Sequence, residues 1–368
     1  MKQIPFFTLL HQNLQIEEEV QQFYKQLYTE AWYILGANLE QFEKEYSEYS
    51  SIKHTIGVGN GLDALTISLK ALNIGKGDEV IVPANTFIAT ILAVTHAGAT
   101  PVLVDPDTFT YNITAKNIED KISAKTKAII PVHLYGAACA MDEMMNLAKK
   151  HSIHIIEDNA QAHGAEYNGK KTGSFGIINA TSFYPVKPLG AYGDGGAITT
   201  NDDVLAHKVK LLRNYGSQEK YYYETTGFNS RLDELQAGIL SIKLKHLERW
   251  NEERIQLAYQ YSLLLKDVAD IILPQEIENS KHVYHLYVIQ TAKRNQLKEF
   301  LKKHGIETGI HYPVPAHLQK AYDFLQLKKG SLPVTESLSD KVLSLPLYNG
   351  MKKEEVEHVC ELIKKFYL

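Results

Sequence analysis

The chain has 368 residues, 44% of them hydrophobic and 22% charged, which is the make-up of a globular protein long enough to bury a core without staples. Its net charge of −4 excludes the basic field that nucleic-acid binding requires, while leaving room for a local phosphate site at a helix end. Cys139 and Cys360 form neither a disulfide framework nor a metal set, and no apolar run reaches the ~18 residues of a membrane span, so the expectation is a cytoplasmic protein with no leader, no membrane partner and no metal.

Apolar spacing predicts an amphipathic helix over residues 14–29 and a second helix over 38–47. From residue 55 onward, short β-rich runs alternate with helical patterns. A strand at 56–59 ends in a glycine turn and leads to a helix at 62–72, then a buried strand at 79–83 and a helix at 88–96. Buried strands follow at 100–105, 128–133 and 153–158, with a helix at 141–151 between the last two. Residues 180–184 and 195–201 read as further strands. A long helix is expected over 231–251, with Leu232, Leu235, Ile239 and Ile242 on one stripe, His246 interrupting it and Trp250 resuming it. Beyond it come a strand at 284–291, a helix at 296–303, a strand at 306–311 and a final helix at 354–366. This alternation argues for a mostly parallel α/β sheet covered on both faces, with ligands at the carboxyl ends of the strands. The expected division is a large domain over 1–251, including an N-terminal helical segment and the linking helix, and a smaller α/β domain over 252–368.

The chemistry-bearing motifs cluster at strand ends. Ser182-Phe183-Tyr184-Pro185-Val186-Lys187-Pro188-Leu189-Gly190 places one lysine in a loop stiffened by proline and glycine. A pinned amine suits Schiff-base chemistry, although this segment taken alone favours an ordinary loop lysine that snorkels to water. Glu157-Asp158-Asn159-Ala160-Gln161-Ala162-His163-Gly164 closes an apolar strand with an acid, an amide and an imidazole. Asp158 suits the protonated nitrogen of a pyridine ring, or a cap on the following turn. Gln161 suits a ring phenolic oxygen, and His163 reads either as a site residue or as a packing histidine. Gly59-Asn60-Gly61-Leu62-Asp63-Ala64 is a strand–turn–helix junction whose free amides favour a phosphate. It fits a loose dinucleotide fingerprint, but the next strand offers no ribose-binding acid. Phe87, after Pro83-Ala84-Asn85-Thr86, is a stacking ring or a core aromatic. Asn229 would cap the long helix or donate to a phosphate. His311-Tyr312-Pro313-Val314-Pro315, with His317 behind it, is a stiff loop that could present its histidines outward. Together these supply a lysine for an aldehyde, an acid for a ring nitrogen, an aromatic for a ring face, and amides with Ser182 for a phosphate.

Across nearly its whole length the chain resembles the DegT-type nucleotide-sugar aminotransferases, which are fold type I pyridoxal phosphate enzymes. The resemblance rests on residues 59–65, 83–90, 157–164, 182–197 and 227–231, on Arg213-Asn214-Tyr215-Gly216 and on His311-Tyr312-Pro313. It implies an aspartate aminotransferase-like large domain with a mostly parallel, mixed seven-stranded sheet flanked by helices. It also implies Lys187 bonded to the cofactor aldehyde, Asp158 at the pyridine nitrogen, Gln161 at the phenolic oxygen and Phe87 on the ring. Ser182 and the amides of Gly61 and Leu62 would bind the phosphate. Asn229 would reach that phosphate from the neighbouring subunit of a homodimer. Leu62 stands where the family often has a hydroxyl residue, and Val186 is bulkier than the residue often found before the lysine. Lys187 itself argues against the dehydratases that carry histidine there. The implied reaction passes an amino group from an amino acid, glutamate first, through pyridoxamine phosphate to a nucleotide-linked ketosugar. The favoured acceptor position is C3 of a dTDP-linked 3-keto-6-deoxyhexose, with C4 of a 4-keto sugar as the rival. Tyr184, His163, His311 and His317 are the expected sugar contacts. Two readings of another class are a nicotinamide-dependent sugar oxidoreductase and a binding protein that keeps the fold without the chemistry.

Overall fold

The computed structural model describes residues 3–368. Helices α1 (Leu10–Gln15) and α2 (Glu17–Glu30) come first, and α3 (Ala37–Ser50) leads into β1 (His54–Val58). Next are α4 (Gly61–Ala71), β2 (Glu79–Pro83), α5 (Ile88–Ala97), β3 (Thr100–Val104), α6 (Ala115–Glu119), β4 (Thr126–Ile129), α7 (Met141–His151) and β5 (His154–Asp158). A short ribbon, β6 (Glu166–Tyr167) and β7 (Lys170–Lys171), precedes β8 (Ile178–Ser182), β9 (Gly196–Thr200) and α8 (Asp203–Arg213). The remainder is α9 (Glu234–Leu244), α10 (Leu247–Leu265), β10 (Ser280–Lys281), β11 (Tyr287–Gln290), α11 (Arg294–Lys303), α12 (Pro333–Lys341), β12 (Val342–Leu345) and α13 (Lys353–Tyr367).

Seven strands form one sheet in the order β1-β9-β8-β5-β4-β2-β3. Only β9 runs against the direction of the other six strands. This is the mostly parallel, mixed seven-stranded sheet that the resemblance implied. Its strands are apolar on both faces, as a covered sheet demands: Val80, Ile81 and Val82 are all fully buried. Helices α4, α5 and α8 cover one face around Leu65, Ile67, Leu69, Ile91 and Val209. On the other face, α7 contributes Met141, Met144 and Leu147, while α3 and α9 enclose Phe42, Ala237 and Leu240. A second core joins α10, α11 and α13 to the two-stranded β11–β12 sheet through Tyr261, Tyr287, Leu301 and Ile363. Ile4 packs into this second core and bridges to Ile306. Among the described residues no helix is long and apolar enough to cross a membrane.

Three expected elements differ. The long helix is two helices: its ladder breaks at Lys245 and His246, where His246 N donates three residues back to Lys243 O, and the His246 ring stacks on Trp250. Residue 252 therefore lies inside α10, which continues to Leu265. The first of these helices starts at Glu234, because Asp233 is held extended by a bridge to Ile34. Asn229 consequently caps nothing and pairs through its backbone with Asn214. Residues 306–311 make only isolated bridges, Ile306 to Ile4 and Gly309 to Ser344, because the two ends of the segment pair with different neighbours. The first amphipathic stretch is likewise two helices separated at Ile16, with Val20, Phe23 and Leu27 facing inward.

Glu234 ties these parts together. Its buried carboxylate accepts from the backbone N–H groups of Gly36 (2.7 Å), Asn38 (2.8 Å) and Leu39 (3.2 Å). These are the orphan donors at the start of α3, where the helix dipole favours negative charge. Glu234→Ala leaves all three without a buried acceptor and is expected to lower stability by about 3 kcal/mol, with Glu234→Gln costing about half as much. The urea midpoint at unchanged slope measures both.

Candidate active site

The end of β5 lies mid-sheet between β4 and β8. Glu157 and Asp158 are consecutive, so they point to opposite faces. Glu157 is fully buried and accepts from the amides of Gly173 (2.7 Å), Phe175 (2.6 Å) and Gly176 (2.7 Å). It also meets His133 Nε2 at 2.9 Å. Asp158 turns the other way. Its Oδ2 accepts from the Thr90 hydroxyl at 2.8 Å and its Oδ1 from the Ala160 amide at 3.1 Å. Burial raises the Asp158 carboxyl above the usual range, while Thr90, Ala160 and the charge on Lys187 pull it down.

Lys187 sits in the loop leaving β8, and that loop is pinned. Lys187 N donates to Tyr184 O at 2.8 Å, and Ala191 N donates to Phe183 O at 2.8 Å. A Cβ on Gly190 would lie 2.2 Å from Pro185 O, so only glycine closes this turn. From behind, the buried Lys243 donates to Gly190 O at 2.7 Å. Burial lowers the Lys187 amine to about 8, against the opposing pull of Asp158. The two charges that the sequence placed in separate motifs thus share one cleft.

The turn before α4 closes the cleft from the side. Asn60 Oδ1 caps the helix by accepting from Asp63 N at 2.8 Å, which leaves the amides of Gly61 and Leu62 at the helix start without intrahelical partners. A Cβ on Gly61 would come 2.6 Å from Ser182 Cβ, so the helix start and the end of β8 meet at van der Waals contact. Asp63 is drawn aside by the Ser230 hydroxyl at 2.7 Å, and Ser230 Oγ accepts from Gly59 N at 3.0 Å. Asn229, next to Ser230, is exposed at the surface.

Phe87 stands at the start of α5 and leaves 49% of its surface open. Its ring tilts against Tyr312 at 5.5 Å. Gln161 Oε1 accepts from Tyr135 N at 2.7 Å, which orients the amide so that Nε2 donates to the Tyr312 hydroxyl at 3.2 Å. The Tyr135 hydroxyl donates to His311 O. His311 Nδ1 lies 2.8 Å from Ser344 Oγ, its ring stacks on Phe6, and burial pushes it down to about 4. Tyr184 is exposed beside the lysine loop. A cavity of about 20 Å³ runs behind Tyr312 and Tyr135, room for about one water. Asn85 Oδ1 and Thr335 Oγ1, from residues in its wall, are buried without a protein partner.

Two expected sugar contacts are not on the surface of the cleft. His163 is fully buried, held at 2.8 Å by the Thr181 hydroxyl and pushed down to about 3 by desolvation. His317 is buried against Glu336 at 3.0 Å, where it braces the segment before α12. Both are packing histidines. The sequence reasoning also passed over Thr90, Tyr135 and His285. Of these only Thr90 had a visible signal, a second hydroxyl one helical turn after Thr86.

Fold and site define a cofactor-dependent transferase, and the chain belongs to the DegT/DnrJ/EryC1/StrS aminotransferase family, which it matches over residues 14–364. A dTDP-3-amino-3,6-dideoxy-alpha-D-galactopyranose transaminase of Aneurinibacillus thermoaerophilus is 49% identical over 363 residues, 99% of each chain. A pleiotropic regulatory protein of Geobacillus stearothermophilus is 45% identical over 99% of this chain and 98% of its own. The crystal structure of Streptomyces venezuelae DesV in complex with a ketimine intermediate superposes with a TM-score of 0.98 at 42% identity, covering 100% of this chain and 99% of that one. Other solved neighbours hold pyridoxamine phosphate or pyridoxal phosphate. The enzyme is therefore a pyridoxal phosphate-dependent aminotransferase, and the nicotinamide reading of the glycine turn is set aside. The residues present fit that cofactor: an amine and a buried carboxylate near enough to act on one another, an open aromatic face, and a helix start packed against the strand that leads to the lysine loop.

The depressed amine has two consequences for pH. In cofactor-free protein, attack of Lys187 on an aldehyde reagent should rise through a midpoint near pH 8, against 10.5 for an ordinary lysine. Between those values the unfolded chain binds the extra proton, so stability rises with pH across that window. Lys187→Met should abolish the labelling at that residue and reduce the rise, leaving the share of Lys243, which burial also lowers to about 8, as followed by peptide mass spectrometry and by urea titrations at pH 7, 9 and 10.

Proposed function

We propose that this aminotransferase moves an amino group from L-glutamate to C3 of a dTDP-linked 3-keto-6-deoxyhexose, releasing 2-oxoglutarate, in the cytoplasm. The observation that carries the reading is the electrostatic pairing of Lys187 with Asp158, beside the contact of Gly61 with Ser182; the name of the 49%-identical relative supports the sugar and the position. On this reading Lys187 forms the covalent link to the cofactor. Asp158 holds a proton on its ring nitrogen, Gln161 Nε2 donates to its phenolic oxygen, and Phe87 covers its face. Ser182 and the amides of Gly61 and Leu62 hold the phosphate, joined by Asn229 of the partner subunit in a homodimer.

Bound there, pyridoxal phosphate supplies an electron sink for charge developing at the substrate carbon. The protein supplies the proton traffic. Once released, Lys187 Nζ takes a proton from one carbon and returns it to the next, as base and then acid. An amine at about 8 has a usable unprotonated fraction near neutrality, which an ordinary lysine lacks. Tyr184 and His311 are the groups placed to touch the hexose.

Purified enzyme with glutamate and the 3-keto sugar should yield a product whose new amine NMR places at C3. An amine at C4, from the 4-keto sugar alone, would overturn the proposed acceptor. Lys187→Ala should lower turnover by about 10³-fold or more, and hydride trapping of the native enzyme should place the cofactor adduct on Lys187.

A further inference from the structure

Asp158 is held by a chain of hydroxyls as well as by its own turn. Thr90, on the first turn of α5, is buried and donates to Asp158 Oδ2 at 2.8 Å. Thr86 Oγ1 lies 2.9 Å from Thr90 Oγ1 and is buried too. A hydroxyl has one proton. Thr90 spends its proton on the carboxylate, so the contact between the two threonines must use the proton of Thr86. The direction is therefore fixed, from Thr86 to Thr90 to Asp158. Donors in series polarise one another, and burial keeps water from replacing them.

We propose that Thr90, backed by Thr86, is a positioning residue for Asp158, a directed donor chain that fixes one carboxylate oxygen and keeps the carboxylate ionised toward the cofactor's ring nitrogen. The proposal rests on the Asp158 role given above. The other groups acting on Asp158 are the Ala160 amide on Oδ1, the Lys187 ammonium and, across the strand, His133. None of these supplies a donor to Oδ2. Without the Thr90 hydroxyl, that oxygen is left buried and unpartnered, and the carboxylate becomes more basic. The proton shared with the ring nitrogen then shifts toward the carboxylate, leaving a neutral pair.

The test uses holoenzyme reconstituted with cofactor labelled with ¹⁵N in the ring. Wild type and Thr90→Ser should show the ring nitrogen in its protonated position, and Thr90→Val should move it toward the unprotonated one. Thr90→Val should also weaken pyridoxamine phosphate binding about tenfold and lower kcat about ten- to hundred-fold, with KM for glutamate little changed. Thr86→Val, which does not touch Asp158, should shift the same nitrogen less and in the same direction. It serves as the test if Thr90→Val fails to fold, and no shift there would overturn the directed chain. A Thr90→Val enzyme matching wild type would overturn the proposal. So would an impaired Thr90→Ser beside a normal Thr90→Val, since that pattern marks a packing methyl. Asp158→Asn separates the two levels. A wild-type nitrogen signal there refutes the Asp158 role itself, whereas a shifted signal there with an unshifted Thr90→Val refutes only the hydroxyl chain.

Discussion

The alternation of side chains at the end of β5 is the constraint on which the site rests. Glu157 and Asp158 are adjacent acids at a buried strand end, where two uncompensated charges would be intolerable. Strand geometry sends them to opposite faces, and each receives different partners. Glu157 takes three backbone amides and the His133 imidazole, which fastens the strand to the 173–176 loop. Asp158 takes only one hydroxyl and one amide, and so keeps capacity for a further donor. A carboxylate has about four acceptor positions. The saturated acid is structural and the under-saturated one faces the cleft.

Lys187 and Asp158 explain one another electrostatically. Burial pushes the amine down and the acid up, and each charge opposes the shift of the other. Three of the surrounding histidines add no competing cation. His163, His285 and His311 are all depressed by desolvation, and the positive charge of Lys187 depresses each further. Near neutral pH they are uncharged, so the lysine is the group in this cluster that changes state just above it. That isolation follows from packing: His163 is enclosed beside Phe183, and His311 is laid on Phe6.

Much of this was legible in the sequence, for reasons that differ by element. The sheet was readable because strands buried on both faces must be continuously apolar, as 80–82 and 155–156 are. The lysine loop was readable because proline and glycine announce a fixed backbone, and Gly190 has room for no side chain. The break at His246 was visible as a polar gap, but periodicity resumes at Trp250 in phase with α10, and the gap alone could not show that the ladder ends there. The roles of the histidines were out of reach, since a histidine bonded to a threonine in a core and one lining a cleft have the same letter. His163 and His317 needed tertiary contacts to be told apart from His311. Thr90 was hidden for a similar reason: it lies on helix α5 and its meaning depends on Asp158, which lies far away in sequence at the end of strand β5.

The single chain leaves rigid apolar surface that bears on the proposed homodimer. Trp32 is 63% exposed, Tyr33 53% and Ile34 38%, yet this segment is not a loose tail. Ile34 bridges Asp233, Tyr33 O accepts from Glu234 N, and Glu234 in turn gathers the amides that start α3. Holding aromatic side chains in water on an ordered backbone is unfavourable unless something covers them. Phe87, Tyr184 and Tyr215 are open in the same way around the cofactor cleft and the 213–217 turn. Asn229 presents an exposed side chain from the segment that bridges that turn at Asn214, anchored through Ser230 to Gly59 just before α4. A second copy related by a two-fold axis would cover such a surface with the same surface, as isologous interfaces do.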